Sequence, residues 1–92
     1  MSIAIVGGND CMVHQYKQLC KQYNCKAKVF TQPAGIKNKV GSPNLLVLFT
    51  NTVSHKMVEC ALAATTGQDV QVVRSHSSSI SALKGILNEY AS

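Results

Sequence analysis

The chain has few acidic residues, few aromatic residues and no long apolar run. Its longest nearly apolar stretch, Leu45 to Phe49, is far too short to span a bilayer. The N-terminal residues Met1 to Val6 do not have the charged and long apolar regions of a secretory signal. We therefore expect a cytoplasmic protein of 92 residues that is neither secreted nor inserted in a membrane.

Several motifs that carry known chemistry are also missing. The turn Gly7-Gly8-Asn9-Asp10 lacks the spacing of a dinucleotide-binding fingerprint, and no Walker A lysine motif occurs. Asn51 stands where a phosphoacceptor receiver domain would have an aspartate. Cys11 has no arginine to complete the phosphate loop of a low-molecular-weight phosphatase. These absences exclude four common uses of a small α/β domain.

The four cysteines include no C-x-x-C pair, so their spacing signals neither a zinc ribbon nor a thioredoxin-type redox site. Without a secretory signal, we expect the thiols to be reduced. Cys20 and Cys60 fall on apolar faces of expected helices and are predicted to be core residues. Cys11 differs, because it lies at the start of a helix.

The chain has a net charge of +5, from nine Lys and Arg residues against four acidic ones. Only the segment from Lys21 to Lys39 resembles a basic patch. A single arginine, Arg74, and no interleaved aromatic residues argue against sequence-specific reading of nucleic acid. Two interpretations stay open, a solvated basic face and a preference for an anionic ligand or partner.

Strand-like and helix-like segments alternate along the whole chain. β-branched and apolar runs predict strands at Ser2–Val6, Ala27–Thr31, Asn44–Thr50 and Val70–Val73. Helical periodicity predicts helices from Asn9 or Asp10 to Asn24, over Ile36–Val40 within the irregular segment Gln32–Pro43, from Thr52 or Ser54 to Gly67, and over Ser77–Tyr90. The residues expected to face the core from the three longer helices are Met12, Tyr16, Leu19, Cys20, Tyr23, Met57, Val58, Ala61, Leu62, Ala64, Ile80, Leu83, Ile86, Leu87 and Tyr90.

This alternation predicts one α/β domain over residues 1–92, a small doubly wound three-layer sandwich of flavodoxin-like or Rossmann-like type. Right-handed crossovers favour a four-stranded parallel sheet in the order 2-1-3-4. The continuous apolar run from Leu45 to Phe49 is typical of a central strand that is covered on both faces.

Three polar loops follow strands and precede helices, and in a parallel sheet they gather at one edge, where ligands usually bind. They are Gly7–Asp10, Thr50–His55 and Arg74–Ser79. Asp10 is the only carboxylate expected near them, which excludes paired-carboxylate and two-metal chemistry. The candidate ligand-binding residues are Asn9, Thr50, Asn51, Ser54, His55, Arg74, His76 and Ser77.

The leading hypothesis is a ligand-binding or sensory domain that holds an anionic small molecule or cofactor at this edge, in a homodimer that covers exposed sheet edges. A metal ion or haem iron bound by His55 and His76, with Cys11 or His14 assisting, is the alternative. An enzyme that uses Cys11 or His55 ranks lower, because no orienting carboxylate can be identified. An interaction-only module is the remaining alternative.

Three stretches of the sequence resemble a bacterial family of domains of unknown function, the family numbered 2325. They are Ile3–Gly8, Val47–His55 and Val72–Ser77, and the Ser54-His55 pair is their most specific element. The resemblance covers essentially the whole chain. It implies a small α/β domain, found alone or appended to other bacterial domains, without a settled activity.

Overall fold

The computed structural model describes residues 1–32 and 36–91. All four predicted strands are present, the first with the predicted bounds and the other three with bounds shifted by one or two residues: β1 (Ser2–Val6), β2 (Lys26–Phe30), β3 (Leu45–Phe49) and β4 (Gln71–Ser75). A 3-10 turn over Asp10–Met12 leads into the first of four helices: α1 (Val13–Gln22), α2 (Ile36–Lys39), α3 (His55–Ala64) and α4 (Ile80–Tyr90). In the irregular segment Gln32–Pro43, residues 33–35 lie outside the described part.

The four strands form one parallel sheet in the order β2-β1-β3-β4, which confirms the predicted order. Ile3 of β1 is aligned with Ala27 of β2 on one side and with Leu45 of β3 on the other. The strand order reverses between β1 and β3, so the switch point of the sheet lies between these two strands. Because all strands run the same way, the loops that follow them lie at one carboxyl edge.

Helices cover both faces of the sheet, as expected for a three-layer sandwich. Val47 and Phe49 of β3 pack with α1 and α4 on one face. Leu46 and Leu48, which alternate with them, pack with α2 and α3 on the other face. All five residues of β3 are buried, because side chains that alternate between two covered faces have no route to solvent.

Three predictions about individual helix positions need correction. Tyr90 was expected to face inward, but it is 36% exposed, and Ala91 packs against that end of the core. Cys60 is only half-buried, whereas Cys20 is fully buried as expected. The last helix begins at Ile80 rather than Ser77, because the hydroxyl of Ser79 accepts the hydrogen bond that caps it.

None of the helices in residues 1–32 and 36–91 is long and apolar enough to cross a bilayer. The longest, α4, has 11 residues.

Candidate ligand-binding edge

A hydrogen-bonded threonine joins the loops that follow β1 and β3. The Gly8 N–H donates to Thr52 Oγ1 at 2.7 Å, and the same hydroxyl donates to the carbonyl oxygen of Phe49 at 3.1 Å. The Thr52 side chain thus bridges the switch point between the two strands. It was one of two candidates to cap the third helix, and its hydroxyl is used for this bridge instead.

The loop after β4 is attached to the same surface by two further contacts. The Thr50 N–H donates to the carbonyl oxygen of Ser75 at 2.8 Å, and the Thr50 hydroxyl lies 3.3 Å from that oxygen. The Tyr16 hydroxyl donates to the carbonyl oxygen of Ser78 at 2.6 Å, which links this loop to α1. The three polar loops therefore form one continuous surface.

Two glycines allow the first loop to approach its neighbours closely. Gly7 has φ +101°, and a Cβ there would lie 2.4 Å from Val53 Cγ1. Gly8 has φ +89°, and a Cβ there would lie 2.7 Å from Tyr16 Cε2. Both the positive φ and the missing space require glycine. The pair is explained by packing within the protein, without reference to a ligand.

Several of the predicted ligand-binding residues already bond to their own backbone. Ser54 Oγ accepts from the Met57 N–H at 3.2 Å and caps α3. Asn9 Oδ1 accepts from the Cys11 N–H at 3.0 Å and caps the 3-10 turn. Ser77 Oγ accepts from the Ser79 N–H at 3.3 Å. These three side chains hold the shape of the loops.

Three other predicted residues are not engaged in this way. The side chains of Asn51, Arg74 and His76 are exposed and make no hydrogen bond or ion pair to any other residue in the described part of the chain. Arg74 is the penultimate residue of β4, and Asn51 and His76 come just after the ends of their strands. All eight predicted residues are exposed, so the surface is shallow and polar.

A carboxylate that sequence reasoning missed lies beside His55. Glu59 Oε1 is 2.9 Å from His55 Nε2, one helical turn further along α3. The i,i+4 spacing on a helix is the signal that could have revealed the pair. The expectation that Asp10 would be the only carboxylate near these loops is therefore wrong. The Asp10 carboxylate itself accepts a hydrogen bond from the Thr31 hydroxyl.

Comparison with known proteins gives one match. A family profile described as an uncharacterized protein conserved in bacteria, DUF2325, matches residues 2–90. The chain belongs to this family. No curated protein and no solved structure matches the chain. Membership in DUF2325 confirms the resemblance carried by the three loop-bearing stretches, but the family's description names no activity or ligand.

The alternative hypothesis of a metal site requires donor side chains that lie close together, and the described part of this DUF2325 domain has no such set. Within residues 1–32 and 36–91, no group of three His, Cys, Asp or Glu side chains is placed to hold a metal ion. His55, the expected ligand, is paired with Glu59, and His14 and Cys11 are exposed. Binding of a metal or of haem iron by His55 and His76 stays a prediction.

Three surface cavities of the DUF2325 domain lie away from the three loops. One of about 430 Å³ runs beside β2, and another of about 260 Å³ lies near the start of β1. A third, of about 340 Å³, lies between α1 and α4. None of the three is lined by any of the eight predicted residues.

Proposed function

We propose that the carboxyl edge of the sheet binds an anionic small molecule or cofactor, and that the chain acts as a ligand-binding or sensory domain in the cytoplasm. One observation carries this proposal. Asn51, Arg74 and His76 project unengaged from a surface on which neighbouring polar groups are bonded within the protein. The internal bonds fix the shape of the loops, so a ligand would meet a preformed backbone surface and three side chains whose polar groups are free to bind it.

The electrostatics of this edge favour a negative charge. Both α3 and α4 begin here, and the first amides of a helix have no partner inside the helix. Ser54 satisfies only the amide of Met57, and Ser79 only that of Ala82. The remaining amides carry the partial positive charge of the helix end, which supports a phosphate or carboxylate group. Arg74 adds a full charge and a planar set of donors.

The shallowness of the surface limits the kind of ligand. Apolar ligands need enclosed pockets that remove most of their area from water, whereas the eight predicted residues here are all exposed. A small anion that is recognised through a few charge-assisted hydrogen bonds fits an open polar surface. We therefore propose a phosphate-bearing or carboxylate-bearing molecule.

Titration calorimetry with pyrophosphate tests this proposal. Arg74→Ala should weaken binding about tenfold, because an exposed charge-assisted hydrogen bond contributes about 1.4 kcal/mol. Lys84→Ala is the matched control, since it removes one positive charge from an exposed position on α4 outside the loops. Equal losses in the two variants, or no binding by the unmodified chain, would reject Arg74 as part of a site.

The proposed homodimer would pair through β4. The Gln71 N–H bonds to Asn44 and the Ser75 carbonyl accepts from Thr50, so the alternate residues Val72 and Arg74 turn their backbone groups outward. This edge carries one positive charge, Arg74, whereas β2 at the opposite edge carries two, Lys26 and Lys28, so self-pairing is opposed less at β4. Sedimentation equilibrium should give twice the chain mass, and a single-chain mass at all concentrations would contradict this part of the proposal.

A further inference from the structure

We propose that the outer edge of β2 docks an acidic, extended peptide segment of another protein, which adds to the sheet as a fifth strand. This surface is separate from the carboxyl-edge loops, and the inference does not depend on the function proposed for them. It rests on the juxtaposition of an open strand edge, a groove beside it and four lysines that lack acidic partners.

Within residues 1–32 and 36–91, the backbone of β2 has unused pairing groups on its outer side. The Lys26 N–H donates to the Met1 carbonyl at 2.9 Å, and the Phe30 carbonyl accepts from the Gly7 N–H at 2.8 Å. In a parallel ladder, alternate residues turn their N–H and C=O groups to the same side. Ala27 and Val29 therefore direct theirs away from β1. In the described part of the sheet, β2 is the last strand on that side.

The groove along this edge has the size and surface for an added strand. Its volume is about 430 Å³, and its lining includes the half-buried side chains of Ala27 and Val29 on one face of the sheet and of Phe30 on the other. The five residues of β2 extend about 16 Å, enough for five residues of a partner strand. In an added strand, the side chains on one face would lie beside Ala27 and Val29, and those on the other face would lie beside Phe30.

Charge determines which peptide would fit. Lys17, Lys28 and Lys39 line the groove, and Lys26 and Lys28 line the adjoining cavity of about 260 Å³. The Lys28 ammonium donates to the carbonyl oxygen of Lys39 at 3.0 Å, which holds it at the groove. No acidic residue lines either cavity, and none of these lysines has a carboxylate within 4.0 Å in the described structure. The complementary occupant is acidic.

The same charges disfavour a second copy of this chain at the edge. Pairing of β2 with β2 would bring Lys26 and Lys28 of one copy close to those of the other, and like charges on adjacent strands are destabilising. Lysines on an edge strand also discourage uncontrolled sheet extension. An acidic segment would instead be attracted to these lysines, so the lysines would favour an acidic partner over a second copy of the chain.

Fluorescence anisotropy with a labelled seven-residue peptide of alternating valine and glutamate tests the proposal. The full chain should bind it, and Lys28→Glu should weaken binding about tenfold through loss and reversal of one close charge pair. Lys84→Glu, which makes the same charge change on the exposed surface of α4, should have a much smaller effect. Circular dichroism checks that both variants are folded.

A second peptide separates strand addition from simple charge attraction. It has the same sequence with every backbone nitrogen methylated, so that it keeps its charge but has no N–H on either edge to donate to Ala27 and Val29. We expect it to bind at least tenfold more weakly than the parent peptide. Equal binding of the two peptides, equal effects of Lys28→Glu and Lys84→Glu, or no binding of the parent peptide would each overturn the proposal.

Discussion

Replacing Gly7 by alanine tests the close contact between the loops that follow β1 and β3. Gly7 has φ +101°, and an added Cβ would lie 2.4 Å from Val53 Cγ1 and 2.9 Å from Thr52 Oγ1. Real Cβ atoms do not tolerate such distances, so the loops must move apart or Gly7 must change its backbone conformation. Either response breaks the contact that brings the two loops together.

The expected loss combines two contributions. A residue with a Cβ in the left-handed region costs about 1–2 kcal/mol relative to glycine. Forcing an extra methyl group into a packed contact costs about 1–3 kcal/mol more. Gly7→Ala should therefore lower the free energy of unfolding by about 2–5 kcal/mol, a large part of the about 5–15 kcal/mol typical of a whole domain.

Urea denaturation measures this loss, and a second glycine supplies the control. Gly67 has φ +82°, but no atom lies within 4 Å of an added Cβ, so Gly67→Ala should show only the backbone cost of about 1–2 kcal/mol. Combining Gly7→Ala with Val53→Ala should recover part of the loss, which a double-mutant cycle would report as coupling. Equal losses for the two glycine variants, with no coupling to Val53, would refute the argument.

Three further predictions concern stability. Gly85 lies within α4, and an added Cβ would meet open space there. Gly85→Ala should therefore raise the free energy of unfolding by about 1 kcal/mol in urea titrations. A lower free energy of unfolding would contradict the open space at this position. Ser54→Ala should lower it by about 1 kcal/mol through loss of the cap on α3, whereas Ser81→Ala, on the exposed side of α4, should change it little. Burial and, to a smaller extent, nearby Cys25 raise the pKa of Cys20 from 9.0 to about 11. The unfolded thiol therefore loses its proton first, so stability should fall between about pH 9 and 11, and Cys20→Ala should show a shallower fall over that range.

The architecture could be predicted because it rests on local patterns and a strong rule of handedness. The apolar run Leu45–Phe49 identifies a strand covered on both faces, and the structure buries all five residues. Right-handed crossovers then leave few strand orders, and the predicted one is observed. The start of α4 was less predictable, because Ser77, Ser78 and Ser79 are all able to cap a helix and neighbours decide between them.

The details of the candidate site depended on contacts between distant parts of the chain. The position of the loops follows from strand ends, which are visible in the sequence. Two contacts of the site are not visible in the sequence. Gly8 lies close to Tyr16, and Thr52 bridges to Gly8 across 44 positions. The basic segment Lys21–Lys39 indicated the lysine-lined groove only in part. Lys17 lies outside that segment, on α1, and lines the groove only because the chain folds.

Binding of an anion at the carboxyl edge and binding in the β2 groove would change different signals in an amide NMR spectrum. Amide NMR shifts of the full chain, recorded during titration with pyrophosphate, report where an anion binds. If the anion binds at the carboxyl edge, the largest changes in amide shift should occur at Gly8, at residues 51–56 and at residues 74–81, around the first turns of α3 and α4. Changes confined to Lys17, to β2 and to Lys39, or no changes at all, would contradict the claim that the carboxyl edge of the sheet is the anion-binding surface.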